Sequence, residues 1–218
     1  MTPERSAESQ RIFETLQHYG ILLASDTRLP SVATLVAGEP VRGSWWAHPR
    51  AHDIHAVAHT LGERSDVIVA KLISGKDTYV HRQLWPAIIA VGAAREAWQL
   101  EGLSSMAKRL LDIVSKDGEL RTADVPWAGG PKKDSPGAAA RQLERKLLVH
   151  GEEVHTESGA HAKRLESWQR WADRAGFSAE RMTSERGKRK LEQALAVLNE
   201  QFQARGRLPW HSDGRGAR

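Results

Sequence analysis

Residues 49–81, PRAHDIHAVAHTLGERSDVIVAKLISGKDTYVH, decide the fold, because the period of the apolar residues changes inside them. Ile54, Val57, Ala58 and Leu61 recur at helical spacing and predict a helix over 49–64, with proline at its start. From residue 67 to 73 the chain turns β-branched, Ser74-Gly75-Lys76-Asp77 supplies turn chemistry, and 78–81 resumes an extended run. Upstream, Ile12, Phe13, Leu16, Tyr19, Gly20 and Leu23 predict a helix over 9–24. After a break at 26–29, Pro30 opens a short helix to residue 36, which Gly38-Glu39-Pro40 stops. Three helices followed by a two-stranded hairpin is the layout of a winged helix, a variant of the helix-turn-helix. A connecting helix is expected over 82–98, with Pro86 in its first turn.

The same order then returns. Ser104 is the N-cap of a helix to residue 116 that carries Met106, Leu110, Leu111 and Val114. A short strand is expected at 119–122, a short helix at 123–127, and a strong helix from Ser135-Pro136 to about residue 149. Residues 153–156 and 160–165 make a second hairpin around Glu157-Ser158-Gly159. Helices over 168–175 and 184–203 complete the pattern. The fold class read from it is mainly α with small β-hairpins: tandem winged-helix units plus a C-terminal helix. The first unit and its connecting helix take 8–98, the second unit 103–176, and the C-terminal helix 177–205. Residues 206–218, rich in Gly and Arg, are expected to be a disordered basic tail.

Composition narrows the function. There is no cysteine, which excludes disulfides, thiolate metal sites and a cysteine nucleophile. The polar start MTPERSAESQ has no apolar signal core and no stretch is apolar for a bilayer's width, so a cytoplasmic protein without a membrane partner is expected. The net charge of +5 is uneven: residues 1–103 carry −1 and residues 104–218 carry +6. A polyanionic partner is therefore sought in the second half.

The helix from Ser135 is the candidate recognition helix. At about 100° per residue Ala139, Ala140, Leu143 and Leu147 share one side, while Ala138, Arg141, Gln142 and Arg145 share the other. Arginine and glutamine match guanine and adenine edges, and Lys132 and Lys133 sit where such a fold meets the phosphate backbone. The second hairpin adds His155, Thr156, Ser158, His161, Lys163 and Arg164. Glu144, Glu152 and Glu153 lie nearby and oppose phosphate, and a merely solvated amphipathic face is the alternative.

A second candidate surface lies in the first unit. His48, His52, His55 and His59 have 4-3-4 spacing and fall within about 60° on the predicted helix. Three readings stay open: an ordinary polar face, a nucleic-acid contact that strengthens as pH falls, and a zinc site, with His81 the distant donor. Asp53 points away from the row, and no metal is predicted. Trp45 and Trp46, after Arg42-Gly43-Ser44, either staple the helix to its neighbours or stack on an unpaired base. No phosphate-binding glycine loop is present, and Lys133-Asp134-Ser135-Pro136-Gly137 is unusable as a nucleophile elbow; no cofactor is expected.

The runs LPSVATLVAGEPVRGSWWAHP, DVIVAKLISGKDTYVHRQLWPA and LLVHGEEVHTESGAHAKRLESWQRWA resemble a group of bacterial winged-helix proteins. That group is related to the winged-helix DNA glycosylases that excise alkylated purines and unhook crosslinks. The resemblance spans about residues 10–176 and implies a tandem winged-helix fold and a DNA-repair setting. The glycosylases' early Gln-apolar-Gln motif is absent from the first half. The one match, Gln201-Phe202-Gln203, falls in the C-terminal helix, so no catalytic residue is carried over. The reading is a DNA-binding protein acting on double-stranded DNA without an identifiable catalytic motif. The alternatives are a glycosylase-like enzyme on alkylated or crosslinked DNA and a protein–protein module.

Overall fold

Gly20 ends the first helix sooner than its apolar period suggests. Its φ of +77° is open to glycine at little cost, and α1 (Pro3–Tyr19) stops before it. The next three residues form a strand, β1 (Ile21–Leu23), buried on both faces. This corrects the single helix expected over 9–24. The computed structural model describes residues 3–155, 161–178 and 182–211.

These residues divide into two compact units, unit 2 being Ala87–Gly187 and unit 1 the chain before and after it. Of the C-terminal stretch expected over 177–205, the part to Gly187 falls in unit 2 and the part from Lys188 in unit 1.

In unit 1, β1 is followed by α2 (Val32–Ala37), whose N-cap Ser31 accepts from the Thr34 N–H at 3.2 Å. The third helix, α3 (Ala51–Gly62), sends Ile54, Val57 and Leu61 into a core shared with Ile12, Phe13, Leu16 and Val36. Two strands close the unit, β2 (Val67–Ile73) and β3 (Lys76–His81). The turn between them is tighter than four residues. Ser74 (φ +52°) and Gly75 (φ +70°) alone make it, both left-handed, which suits the twist of a two-residue hairpin. The sheet is antiparallel in the order β1-β3-β2.

The expected connecting helix over 82–98 is broken. A 3-10 turn (Arg82–Leu84) leads into α4 (Trp85–Ala93), and α5 (Ala97–Leu100) restarts after a bend. Arg95 is left-handed there (φ +52°), and Glu96 and Gln99 form a reciprocal capping box for the new helix.

Unit 2 repeats the order of unit 1 with one helix reduced. α6 (Ser105–Asp117) is capped by Ser104, whose hydroxyl accepts from the Ala107 N–H at 3.1 Å. β4 (Glu119–Arg121) comes next, then 3-10 turns at Thr122–Asp124 and Lys132–Asp134, in place of the short helix expected at 123–127. α7 (Pro136–Arg145) is four residues shorter than expected, because Leu147 turns left-handed (φ +54°) and the chain becomes β5 (His150–His155). β6 (His161–Glu166) returns, and the antiparallel sheet runs β4-β6-β5, the same order as in unit 1. The turn expected around Glu157-Ser158-Gly159 lies outside the described residues.

α8 (Trp168–Arg174) packs on this sheet from its N-cap Ser167, and α9 (Ser184–Gln201) is followed by a 3-10 turn at Pro209–His211. Residues 206–211 do not form a free tail. The Asn199 side chain brackets Gly206, accepting from its N–H at 2.7 Å and donating to its carbonyl at 3.0 Å. The Ser74 N–H donates to the Arg207 carbonyl at 2.7 Å, and Leu208 is buried.

Candidate nucleic-acid interface

α7 is set by its N-terminus. The Ser135 hydroxyl accepts from the Ala138 N–H at 3.2 Å, and Pro136 occupies the first helical position, where no amide donor is needed. Its apolar side, Ala139, Ala140 and Leu143, is buried in the core of unit 2. Arg141 and Arg145 are four residues apart on the opposite side, both open to solvent, and neither guanidinium meets a carboxylate among the described residues. Lys132 and Lys133 are exposed in the 3-10 turn before the helix. Four cations thus share this helix and its approach.

Glu144 does not oppose them. It is 6% exposed and turned inward, where the Lys163 ammonium meets it at 2.7 Å. The same contact commits Lys163, expected on the binding face, to an internal ion pair. Arg164 is likewise held, 2.6 Å from Glu152 across the hairpin. His155 and His161 are paired in register on β5 and β6; Thr156 and Ser158 fall outside the described residues.

Gln142, expected as a base-reading amide, is engaged by backbone in this structure. Its carbonyl oxygen accepts from the Ser104 N–H at 3.1 Å, and its NH2 donates to the Gly102 carbonyl at 2.8 Å. The side chain ties α7 to the start of α6. Gln142→Ala is therefore expected to lower stability by about 1–2 kcal/mol in urea titration, with unchanged base preference in DNA binding.

Behind the hairpin Glu166 is fully buried, gripped by both nitrogens of the Arg174 fork at 3.0 and 2.7 Å. His150 Nδ1 stands 3.8 Å away, an ion-pair separation rather than a hydrogen bond. Burial pushes the Glu166 carboxyl up, but His150 and the Arg174 guanidinium outweigh it and hold the group down at about 2. A folded-state value below the unfolded 4.5 means stability that is fully present above that pH and lost as pH falls toward about 2. Thermal melts should show this acid-side loss in the wild type and a flatter profile in Glu166→Gln.

The second candidate surface is rearranged relative to the four-histidine row. His48 is not on the helix. It ends the 3-10 turn Trp45–Ala47 in extended backbone, accepts from the Arg50 N–H through Nδ1 at 3.1 Å, and lies 3.5 Å from Glu39. Arg50 precedes α3 and fastens it by bonding Glu8, Asp53 and the Val36 carbonyl. His52, His55 and His59 are exposed along α3, and Arg42 is exposed in the segment before it. His81 is no distant donor to them: it packs edge-on against Phe13 at 5.9 Å, and burial lowers its proton affinity. Among the described residues no group of three His, Cys, Asp or Glu is placed to hold a metal.

Trp45 and Trp46 differ in their surroundings. Trp45 packs against the core of unit 1, whereas Trp46 is 60% exposed and stacks on Trp45 at 4.1 Å. Trp127, 41% exposed in the segment before α7, is a surface aromatic that sequence reasoning passed over. The Gly/Pro/Lys run that begins two residues after it was the available signal.

The Gln201-Phe202-Gln203 match has a structural occupation. Phe202 meets Tyr19 edge-on at 5.9 Å and lines a pocket of about 570 Å³ in unit 1, with Arg11, His18, Leu29 and Leu35 among its other walls. The Gln203 carbonyl accepts from Arg28 at 3.4 Å.

The profile of a protein family described as AlkZ related matches residues 7–205 of the chain. No curated protein and no solved structure matches it.

Proposed function

Because the chain belongs to the AlkZ-related family, which links it to the AlkZ-like DNA glycosylases and a DNA-repair setting, we propose that it is a DNA-binding protein. Each unit is a winged helix, and α7 is the helix that enters a groove of double-stranded DNA. The single observation that carries this reading is the outer side of α7. Arg141 and Arg145 stand open there, with no carboxylate on either guanidinium among the described residues, and Lys132 and Lys133 lie ahead of them.

The winged-helix reading is supported by element order. Both units run helix, short strand, a short helix or turn, helix, then two strands, with the first strand on the free side of the last. In this arrangement Arg141 and Arg145 face base edges, while Lys132 and Lys133 neutralise phosphates. The β5–β6 hairpin is the wing, and its His155, Ser158 and His161 are the candidate contacts to the backbone or minor groove. Lys163 and Arg164 contribute less than their charge suggests, because each already faces a glutamate. Fluorescence anisotropy with a labelled duplex tests the reading: affinity should fall linearly with the logarithm of salt, and no retention at low salt would refute it.

Family membership favours a second reading, a glycosylase-like enzyme acting on alkylated or crosslinked DNA. Incubation with such duplexes separates the two. Release of a base would establish the enzyme; binding without release leaves the DNA-binding protein.

A further inference from the structure

We propose that the turn before α3 and the outer side of that helix form a stacking platform for an unpaired nucleobase of DNA, with Trp46 as the surface on which the base lies. The ligand class rests on the DNA-binding reading above; the site is a different one, in unit 1.

Trp46 carries an indole that is both exposed and held. Trp46 leaves 60% of its surface in water, more than any other large apolar side chain among the described residues. A tryptophan in that position is normally covered or mobile. This one is stacked on Trp45, with ring centres 4.1 Å apart and planes 25° from parallel, and Trp45 in turn packs against the core of unit 1. The turn is closed by its own backbone, the Ala47 N–H donating to Ser44 at 3.1 Å and the His48 N–H to Trp45 at 3.0 Å. Arg50 fastens α3 just beyond it. The aromatic surface is therefore ordered before anything binds it.

The surroundings suit a base better than an apolar partner. The π surface continues from Trp46 to His55 at 5.3 Å and from His55 to His59 at 6.3 Å. Exposed His52, His55 and His59 offer ring nitrogens that hydrogen-bond base edges and phosphates, and Arg42 adds an exposed cation upstream. No exposed aliphatic side chain of α3 rims the indole, as a protein-docking patch would require. Stacking demands a free base face, which a paired duplex interior does not present, so the platform distinguishes unpaired from paired DNA.

The location repeats within the chain. In unit 2 the other strongly exposed tryptophan, Trp127, occupies the segment leading into α7, and α7 precedes its hairpin as α3 precedes β2–β3. Each unit thus carries an open indole ahead of the helix that leads into its hairpin.

The test uses the full chain and two duplexes of one sequence, one fully paired and one with a single bulged 2-aminopurine. The wild type should prefer the bulged duplex by roughly 5- to 150-fold, the ratio that one aromatic stack supplies, and should quench the 2-aminopurine. Trp46→Ala should abolish both the preference and the quenching while leaving affinity for the paired duplex unchanged; Trp46→Phe should keep part of each. Equal affinity for the two duplexes in the wild type, or a preference that survives Trp46→Ala, overturns the platform. In that case salt-dependent binding of the paired duplex still stands, so the DNA-binding reading survives. Failure to bind either duplex removes both.

Discussion

Trp168→Ala is expected to cost about 3–5 kcal/mol of unfolding free energy, the upper range for loss of a buried aromatic. The indole is 2% exposed, and its N–H donates to the Leu147 carbonyl at 2.6 Å. That carbonyl sits at the left-handed residue where α7 hands over to β5, so the truncation also leaves it without its donor. His150 and Trp171 meet the same ring edge-on, at 6.0 and 6.4 Å. Gly92 of α4 explains how so large a ring fits. A Cβ built on it would lie 2.2 Å from the indole nitrogen, far inside contact distance. Gly92→Ala should therefore cost about 1–3 kcal/mol in the wild type. In the Trp168→Ala background the same change should cost little, because the ring it strikes is gone. Urea denaturation of the four proteins of this cycle gives the coupling directly; additive costs would show that ring and glycine do not depend on each other.

The second large effect concerns binding. Arg141→Ala with Arg145→Ala should weaken affinity for duplex DNA by about 1–3 kcal/mol per arginine, roughly 5- to 150-fold each, as both reach base edges. Lys132→Ala with Lys133→Ala should act differently. Each lysine on a phosphate adds nearly one to the slope of log affinity against log salt, so losing both should flatten it by about two with little change in sequence preference. All four side chains lie on the solvent side, so melting points should move only slightly. That separation between binding and stability is what makes the pair of variants informative.

The first hairpin and the starts of α6, α7, α8 and α9 were legible because their signals are local. A β-branched run and a Ser-Gly turn specify β2–β3, and Ser104 and Ser135 cap their helices as their positions suggest. β1 was hidden because three consecutive apolar residues, buried on both sides, show no alternation and extend a helical period by chance. The break at Arg95 and the end of α7 at Leu147 carry no glycine. Both are left-handed positions imposed by the elements they lead into, the capped start of α5 and the strand β5. Docking of residues 206–211 depends on Asn199 and Ser74, remote or unremarkable in sequence, so composition alone pointed the other way.

The candidate surface was legible to a lesser degree. Helical geometry places Arg141 and Arg145 outward correctly, but it places Gln142 there too. Only the fold brings the Gly102–Ser104 backbone within reach of that amide. Glu144 is the reverse case, an acidic neighbour on paper that the fold buries against Lys163. The histidine row lost its first member because Pro49 and Arg50 delay the helix by two residues.

The most direct test is the salt-titrated affinity of the full chain for duplex DNA, measured beside the Arg141→Ala, Arg145→Ala double variant. Salt-dependent binding by the wild type and a loss of at least about tenfold in the variant, at equal melting temperature, are expected. Affinity and salt slope identical in the two proteins would contradict the placement of α7 on DNA.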